Sequence, residues 1–153
     1  MKKLWFCIAS VLSVAGVVCD IRVFPAENQS VAGVFQVGLL SGLDQLQYAF
    51  NASEARRMCA ALGVTIASKA QVTEALHRGL ETCRFGWTDE NLAVIPRNKA
   101  LVGCGQNKTG LVTWRASAGR KFDVFCFNET DAAAQMRTTT DSPWQFQCFL
   151  RAH

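Results

Sequence analysis

Four cysteines, spread at nearly even intervals through the middle of the chain, constrain this sequence more than any other feature. Cys59, Cys83, Cys104 and Cys126 follow one another at intervals of 24, 21 and 22 residues. Zinc sites use closely spaced ligand pairs, and the sequence contains no Cys-x-x-Cys pair, so a metal site is not expected. Two disulfides are predicted instead, and the spacing leaves all three pairings open.

The start of the chain predicts how these cysteines reach an oxidising compartment. Two lysines precede an apolar stretch over 4–18, which is typical of a secretory signal peptide. The stretch has about 15 residues, fewer than the roughly 20 that a membrane-spanning helix needs. Val17 and Cys19 fit the −3 and −1 positions of a cleavage site. We therefore predict a signal peptide over 1–19 and a secreted product without a membrane span.

The last part of the chain differs in composition from the middle. Residues 131–153 contain runs of alanine and threonine and end in the sequence WQFQCFLRAH. Cys148 in this segment is left without a partner if Cys19 leaves with the signal peptide. We predict a flexible tail outside the folded domain.

Four Asn-x-Ser/Thr sequons support secretion. They begin at Asn28, Asn51, Asn107 and Asn128. In a secreted chain each sequon is an acceptor for a bulky glycan, so each predicts a turn or an exposed edge.

Composition and charge exclude several functions. Half of the 153 residues are apolar and the formal net charge is only +4, which favours one folded domain over a basic nucleic-acid binder. The histidines are His77, expected on the outside of a helix, and His153 at the end of the chain. Neither is placed to serve as a catalytic base, and Asp89 and Glu90 resemble turn residues more than a glycosidase pair. We expect no enzyme and no cofactor.

The pattern of apolar residues predicts two helices followed by short strands. Ser53 is expected to cap a helix over 54–62 that ends at Gly63. A second helix begins at Ser68, where Gln71 completes a capping box. Four strands are predicted over 31–37, 92–96, 111–114 and 122–127. Helices and strands that do not alternate regularly favour an α+β fold.

Seven segments give the chain a more specific signature. In order they are AGVF (32–35), SEARRMC (53–59), AQVTEAL (70–76), ETCRFGW (81–87), VIPR (94–97), GCGQNKTG (103–110) and FCFN (125–128). From about Gly33 to Asn128 the chain resembles the Link module, the hyaluronan-binding variant of the C-type-lectin-like fold. Within that family, the details at 86–87, 104–105 and Trp114 are most similar to the cell-surface receptors.

The resemblance implies an architecture. Cys59 would pair with Cys126 and Cys83 with Cys104, and two helices would pack with two small antiparallel sheets. The Link module would occupy 31–130, after an N-terminal flank over 20–30. The family's cell-surface receptors add a third, flanking disulfide, but this chain has no cysteine near Gln29 or Arg137. They also continue into a membrane span, so a longer form of this chain would stand at the cell surface.

The resemblance also implies a binding groove for hyaluronan or a related glycosaminoglycan. Carried over by position, the groove residues are Tyr48, Arg84, Phe85, Ile95, Asn107 and Lys108. Arg84 is the residue expected to meet a sugar carboxylate. Three positions depart from the family: Phe85 lacks a hydroxyl group, Gln47 replaces an arginine, and Val112 replaces an aromatic residue.

Other residues near the expected groove are predicted either to pack in the core or to contribute positive charge around it. Trp87 and Trp114 are predicted to be buried packing residues. Lys108, Arg120 and Lys121 predict a diffuse basic rim. A sugar chain on Asn107 would crowd the groove.

The functional prediction is calcium-independent hyaluronan binding in cell adhesion or matrix uptake. The alternative is a C-type-lectin-like module that has lost hyaluronan and binds a protein or another glycan. A secreted hydrolase ranks third, because the sequence offers no suitable catalytic base.

Overall fold

The computed structural model describes residues 20–26 and 29–140. Its strands are β1 (Ile21–Phe24), β2 (Val34–Leu40), β3 (Leu46–Gln47), β4 (Thr65–Ile66), β5 (Gly86–Trp87), β6 (Ala93–Arg97), β7 (Gly110–Trp114) and β8 (Asp123–Phe127). Its helices are α1 (Ala52–Ala61), α2 (Lys69–His77) and α3 (Glu129–Thr140), with a single 3-10 turn at Gly105–Asn107. The α+β prediction is confirmed.

The strands form one sheet instead of the two small antiparallel sheets expected. Its order is β1-β2-β8-β5-β6-β7, while β3 pairs with β2 and β4 pairs with β8. The two halves join where Gly86 and Trp87 pair in parallel with Asp123 and Val124. Glycine permits this pairing, because a Cβ atom at position 86 would lie 2.7 Å from the ring of Phe125.

Each face of the sheet carries a hydrophobic cluster, because side chains alternate along the strands. One cluster includes Val37, Val124 and Cys126 and packs against Ala55 of α1. The other includes Val34 and Phe125 and packs against Val72 and Ala75 of α2. The two helices predicted from the sequence therefore cover opposite faces of the same sheet.

Both disulfides join the cysteines that the family resemblance implied. Cys59 of α1 is bonded to Cys126 of β8, which ties the helix to the centre of the sheet. Cys83 is bonded to Cys104, which ties the segment before β5 to the loop between β6 and β7. The second bond holds two surface segments together at one edge of the fold.

The first helix begins earlier than predicted. Asn51, not Ser53, is the N-cap: its side chain accepts a hydrogen bond from the backbone of Glu54, and the Glu54 side chain accepts one from the backbone of Asn51. At the other end, Gly63 adopts a φ of 77°, as expected for the glycine that follows a helix. The capping box of Ser68 and Gln71 at α2 is confirmed.

The third helix was not predicted, and it crosses into the segment interpreted as a tail. Helix α3 packs on the N-terminal segment: Ala132 is buried against Gly33, and Gln135 Nε2 donates to the carbonyl of Ser30 at 2.8 Å. Ser30 Oγ also donates to Asp131 Oδ2 at 3.0 Å. Residues 131–140 are therefore helical. The helix could not be predicted from an apolar pattern, because its contacts are made by alanine and polar side chains.

Several predictions fall outside the described residues. They concern the signal peptide over 1–19, the sequon at Asn28, and the rest of the tail over 141–153 with Cys148. Within the part of the chain that the structure describes, no helix combines the length and the apolar character needed to cross a bilayer.

Asn51 is both the N-cap of α1 and the acceptor of a sequon, and two variants can separate the contributions of the cap and the glycan to stability. Asn51→Ala removes both, whereas Ser53→Ala destroys the same sequon and leaves the cap in place. We expect Asn51→Ala to be less stable than Ser53→Ala by about 1 kcal/mol in the free energy of unfolding, measured with denaturant. Equal stabilities for the two variants would show that the cap contributes nothing.

Candidate functional site

An aromatic cluster gathers around one buried ring at the start of β8. Phe122 is buried, and its ring centroid lies 5.5 Å from Tyr48, 5.8 Å from Phe85, 5.2 Å from Trp87 and 5.5 Å from Trp114. The contacts with Tyr48, Trp87 and Trp114 are edge-to-face, an arrangement that stabilises aromatic pairs beyond simple burial. Tyr48, Phe85, Trp114 and Phe122 are called the aromatic platform below.

The platform combines a buried base with an exposed surface. Tyr48 is 40% exposed and Trp114 is 36% exposed, while Phe85 between them is half-buried. Trp87 is fully buried and donates its Nε1 hydrogen to the carbonyl of Phe50 at 2.9 Å. The prediction of burial is thus confirmed for Trp87 and wrong for Trp114. Trp114 ends edge strand β7 opposite Ala93, and no further strand of the described sheet covers it on the other side.

Arg84 lies beside the platform and is already paired with a carboxylate. Its Nε donates to Asp123 Oδ2 at 2.6 Å and its Nη2 to Asp123 Oδ1 at 3.0 Å. Asp123 has no exposed surface, whereas the Arg84 side chain is 23% exposed. Gln36 donates to the same carboxylate at 3.1 Å and to the carbonyl of Arg84 at 3.0 Å. The guanidinium is therefore held from inside the protein by two fixed bonds.

This pair determines the local charge. The hydrogen bond to Asp123 raises the pKa of Arg84, so the guanidinium stays charged. Burial raises the pKa of the Asp123 carboxyl, and the contact with Arg84 opposes that rise. The two parallel hydrogen bonds have the geometry of a guanidinium–carboxylate ion pair, whose charges compensate each other.

Three of the predicted site residues are in direct contact. The Arg84 guanidinium carbon lies 4.3 Å from the centre of the Tyr48 ring. The Tyr48 hydroxyl accepts a hydrogen bond from the backbone of Phe85 at 3.0 Å. Phe85 packs against Trp114 with 5.4 Å between the ring centroids. Tyr48, Arg84 and Phe85 thus form one continuous surface with Trp114.

The other three predicted site residues, Ile95, Asn107 and Lys108, are not part of this contacting group. Ile95 is only 3% exposed in the middle of β6, opposite Val112 of β7, so it offers little surface to a ligand. Asn107 and Lys108 are exposed in the loop after Cys104. They lie at the end of β7 away from Trp114, and the Cys83–Cys104 disulfide ties their loop to the residue before Arg84.

Arg120 contacts the platform at Trp114, whereas Arg84 contacts it at Tyr48. The guanidinium carbon of Arg120 lies 4.1 Å from the centre of the Trp114 ring and 5.8 Å from that of Phe122. The sequence indicated Arg120 only as part of a diffuse rim. The loop between β7 and β8 produces the contact by turning back at Ser117, whose carbonyl accepts from the Arg120 backbone at 3.0 Å. No periodic pattern in the sequence predicts this turn.

The histidine and the two carboxylates considered for catalysis are exposed in the described structure. Among the described residues, no three His, Cys, Asp or Glu side chains are grouped to hold a metal ion. His77 is exposed at the end of α2, as predicted. Asp89 is paired with Arg56, and Glu90 accepts from the backbone of Lys69 at 2.8 Å, so both have structural partners.

The described chain is a disulfide-braced mixed sheet with a partly exposed aromatic surface. The family model described as "Extracellular link domain" matches residues 38–127. The chain belongs to the extracellular link domain family, which confirms the resemblance drawn from its motifs.

Known proteins match the chain over different lengths. Lymphatic vessel endothelial hyaluronic acid receptor 1 of Mus musculus is 42% identical over 81 residues, covering 53% of this chain and 26% of that protein. CD44 antigen of Rattus norvegicus is 31% identical over 154 residues, covering 95% of this chain and 28% of that protein. Stabilin-1 of Mus musculus is 32% identical over 112 residues, which cover 72% of this chain and 4% of that protein. The chain thus spans about a quarter of the first two relatives.

The buried pair gives a prediction about folding. Arg84→Ala would leave the Asp123 carboxylate buried without its counter-charge, so we expect unfolding to become easier by about 3 kcal/mol or more. Asp123→Asn in the same chain removes the isolated charge and should recover part of the loss. The measurement is denaturant unfolding of the single and double variants.

Arg78→Ala is the matched control. Arg78 pairs with Glu74 on the exposed face of α2, so its removal should change stability by less than about 1 kcal/mol. If Arg84→Ala were as mild as Arg78→Ala, the pair would not stabilise the fold.

Proposed function

We propose that this chain is an extracellular, non-catalytic module that binds hyaluronan without calcium, in cell adhesion or matrix uptake. The single observation that carries the proposal is the aromatic platform, partly exposed and flanked by Arg84 and Arg120. The family match supports the proposal, and so does the similarity to a protein named as a hyaluronic acid receptor.

The chemistry of the platform suits an acidic polysaccharide. Sugar rings present flat apolar faces that stack on aromatic side chains, while their hydroxyl and amide groups need hydrogen-bond partners. Hyaluronan also carries one carboxylate per disaccharide, for which arginine is the natural partner. An extended polymer needs a shallow surface, and Tyr48, Phe85 and Trp114 provide one.

The residues predicted from the sequence receive separate roles in this proposal. Tyr48 and Phe85 contact sugar rings, and Arg84 and Phe122 hold the Tyr48 ring in position. Ile95 supports the surface from inside the sheet. Asn107 and Lys108 extend the surface along the disulfide-held loop. The module itself is proposed to occupy residues 31–130.

The proposed location is outside the cell. The disulfides of the extracellular link domain require an oxidising compartment. We propose that the module acts in the extracellular space or at the cell surface.

Binding to immobilised hyaluronan tests the proposal. We expect the glycosylated protein to bind hyaluronan, to be competed by soluble hyaluronan more than by heparin or chondroitin, and to be unaffected by a calcium chelator. Tyr48→Ala should weaken binding by tenfold or more, about 1.4 kcal/mol. Met136→Ala removes an exposed apolar side chain of α3 and should bind like the wild type. No binding, even after removal of glycans, would contradict the proposal.

A protein ligand is the second candidate. Two neighbouring apolar residues, Leu101 and Val102, are 53% and 85% exposed in the loop before Cys104. Exposed apolar residues favour contact with another protein. This candidate moves to first place if the deglycosylated chain does not bind hyaluronan.

The sequon at Asn107 gives a prediction about glycan control. Thr109→Ala removes the sequon and keeps the Asn107 amide, whereas Asn107→Gln removes both. We expect Thr109→Ala to bind hyaluronan more tightly than the glycosylated wild type, because a glycan on this exposed loop would crowd the polymer. Binding by Asn107→Gln below that of Thr109→Ala measures the amide's own contact. Equal affinity of all three proteins would place the loop outside the site.

A further inference from the structure

Two arginines touch the aromatic platform, and they differ in electrostatic environment. Arg84 donates two hydrogen bonds to Asp123, which is fully buried. A ligand carboxylate that approached Arg84 would also approach the carboxylate of Asp123. Because attraction and repulsion act over similar distances, the pair offers little net attraction to an anion.

Arg120 has no such partner among the residues that the structure describes. Its nearest charged neighbour in sequence, Lys121, is 3.8 Å from Glu54, so that acidic group faces the lysine. No carboxylate of the described chain lies within ion-pair distance of Arg120, and its side-chain N–H groups donate no hydrogen bond to a protein acceptor there. Its positive charge and its donors are therefore available to a ligand.

The contact with Trp114 gives this free charge a fixed position. A guanidinium 4.1 Å from the centre of an indole ring is held by cation–π attraction, which is stronger for tryptophan than for other aromatic residues. Fixing the long side chain in advance reduces the entropy lost when a ligand binds. Trp114 is itself partly exposed, so a sugar ring on Trp114 and its carboxylate on Arg120 could be contacted together.

Resting on the proposed function, we propose that Arg120, held on Trp114, is the residue that recognises the carboxylate of the acidic polysaccharide. Arg84 then acts as a positioning residue whose charge is compensated by Asp123. Selectivity for an acidic over a neutral polymer arises at the Trp114 end of the platform, and the Tyr48 end binds uncharged parts of the sugar.

Two polymers that differ only in the carboxylate test this assignment. Native hyaluronan is compared with carboxyl-reduced hyaluronan of the same length, in which each carboxylate is replaced by a hydroxymethyl group. The wild type should prefer the native polymer by about tenfold, and Arg120→Ala should abolish this preference. Unfolding curves of each variant establish that it is folded.

Arg115→Ala is the matched control, because Arg115 is an exposed arginine at the start of the same loop. It removes the same formal charge and should keep most of the preference. A loss as large as that of Arg120→Ala would show a diffuse field and overturn the assignment. The assignment also fails if Arg120→Ala keeps the full preference or if the wild type shows none. Absence of binding to both polymers would overturn the proposed function itself.

Discussion

The rest of the structure depends on strand β8, because both helices and the aromatic platform pack against side chains on it or directly before it. Cys126 bonds this strand to α1, and Phe125 lies in the cluster that packs against α2. Asp123 holds Arg84 from inside, and Phe122, just before the strand, carries the rings of the platform. Because alternate residues point to opposite faces, one short strand positions both helices and the proposed binding surface.

The same contacts hold the proposed binding surface together, although its residues come from separate parts of the chain. Tyr48, Phe85 and Trp114 are far apart in the sequence, and each is fixed by contact with Phe122 or with a neighbour. The buried pair of Arg84 and Asp123 adds a second fixed point, in which the carboxylate compensates the charge of the arginine. The assignment of Arg84 to the sugar carboxylate stays a prediction, and the role proposed for Arg120 is the alternative to it.

Much of the fold could be predicted from local sequence signals. The capping box at Ser68 and the glycine at 63 depend on neighbouring residues only, and both are found where expected. The disulfide pairing needed the family resemblance, because spacing alone cannot select it. Helix α3 and the exposure of Trp114 depend on contacts between distant segments, so no local pattern announced them. The burial of Asp123 against Arg84 is of the same kind.

The two tryptophans of the described fold give the most direct measurement of the central claim. Trp114 belongs to the exposed platform, whereas the Nε1 hydrogen of Trp87 is bonded to Phe50 inside the core. In an NMR titration with hyaluronan oligosaccharides, the indole resonance of Trp114 should shift in a saturable manner while that of Trp87 stays nearly unchanged. Saturable binding that leaves Trp114 unmoved and shifts the loop of Leu101 and Val102 would contradict the account.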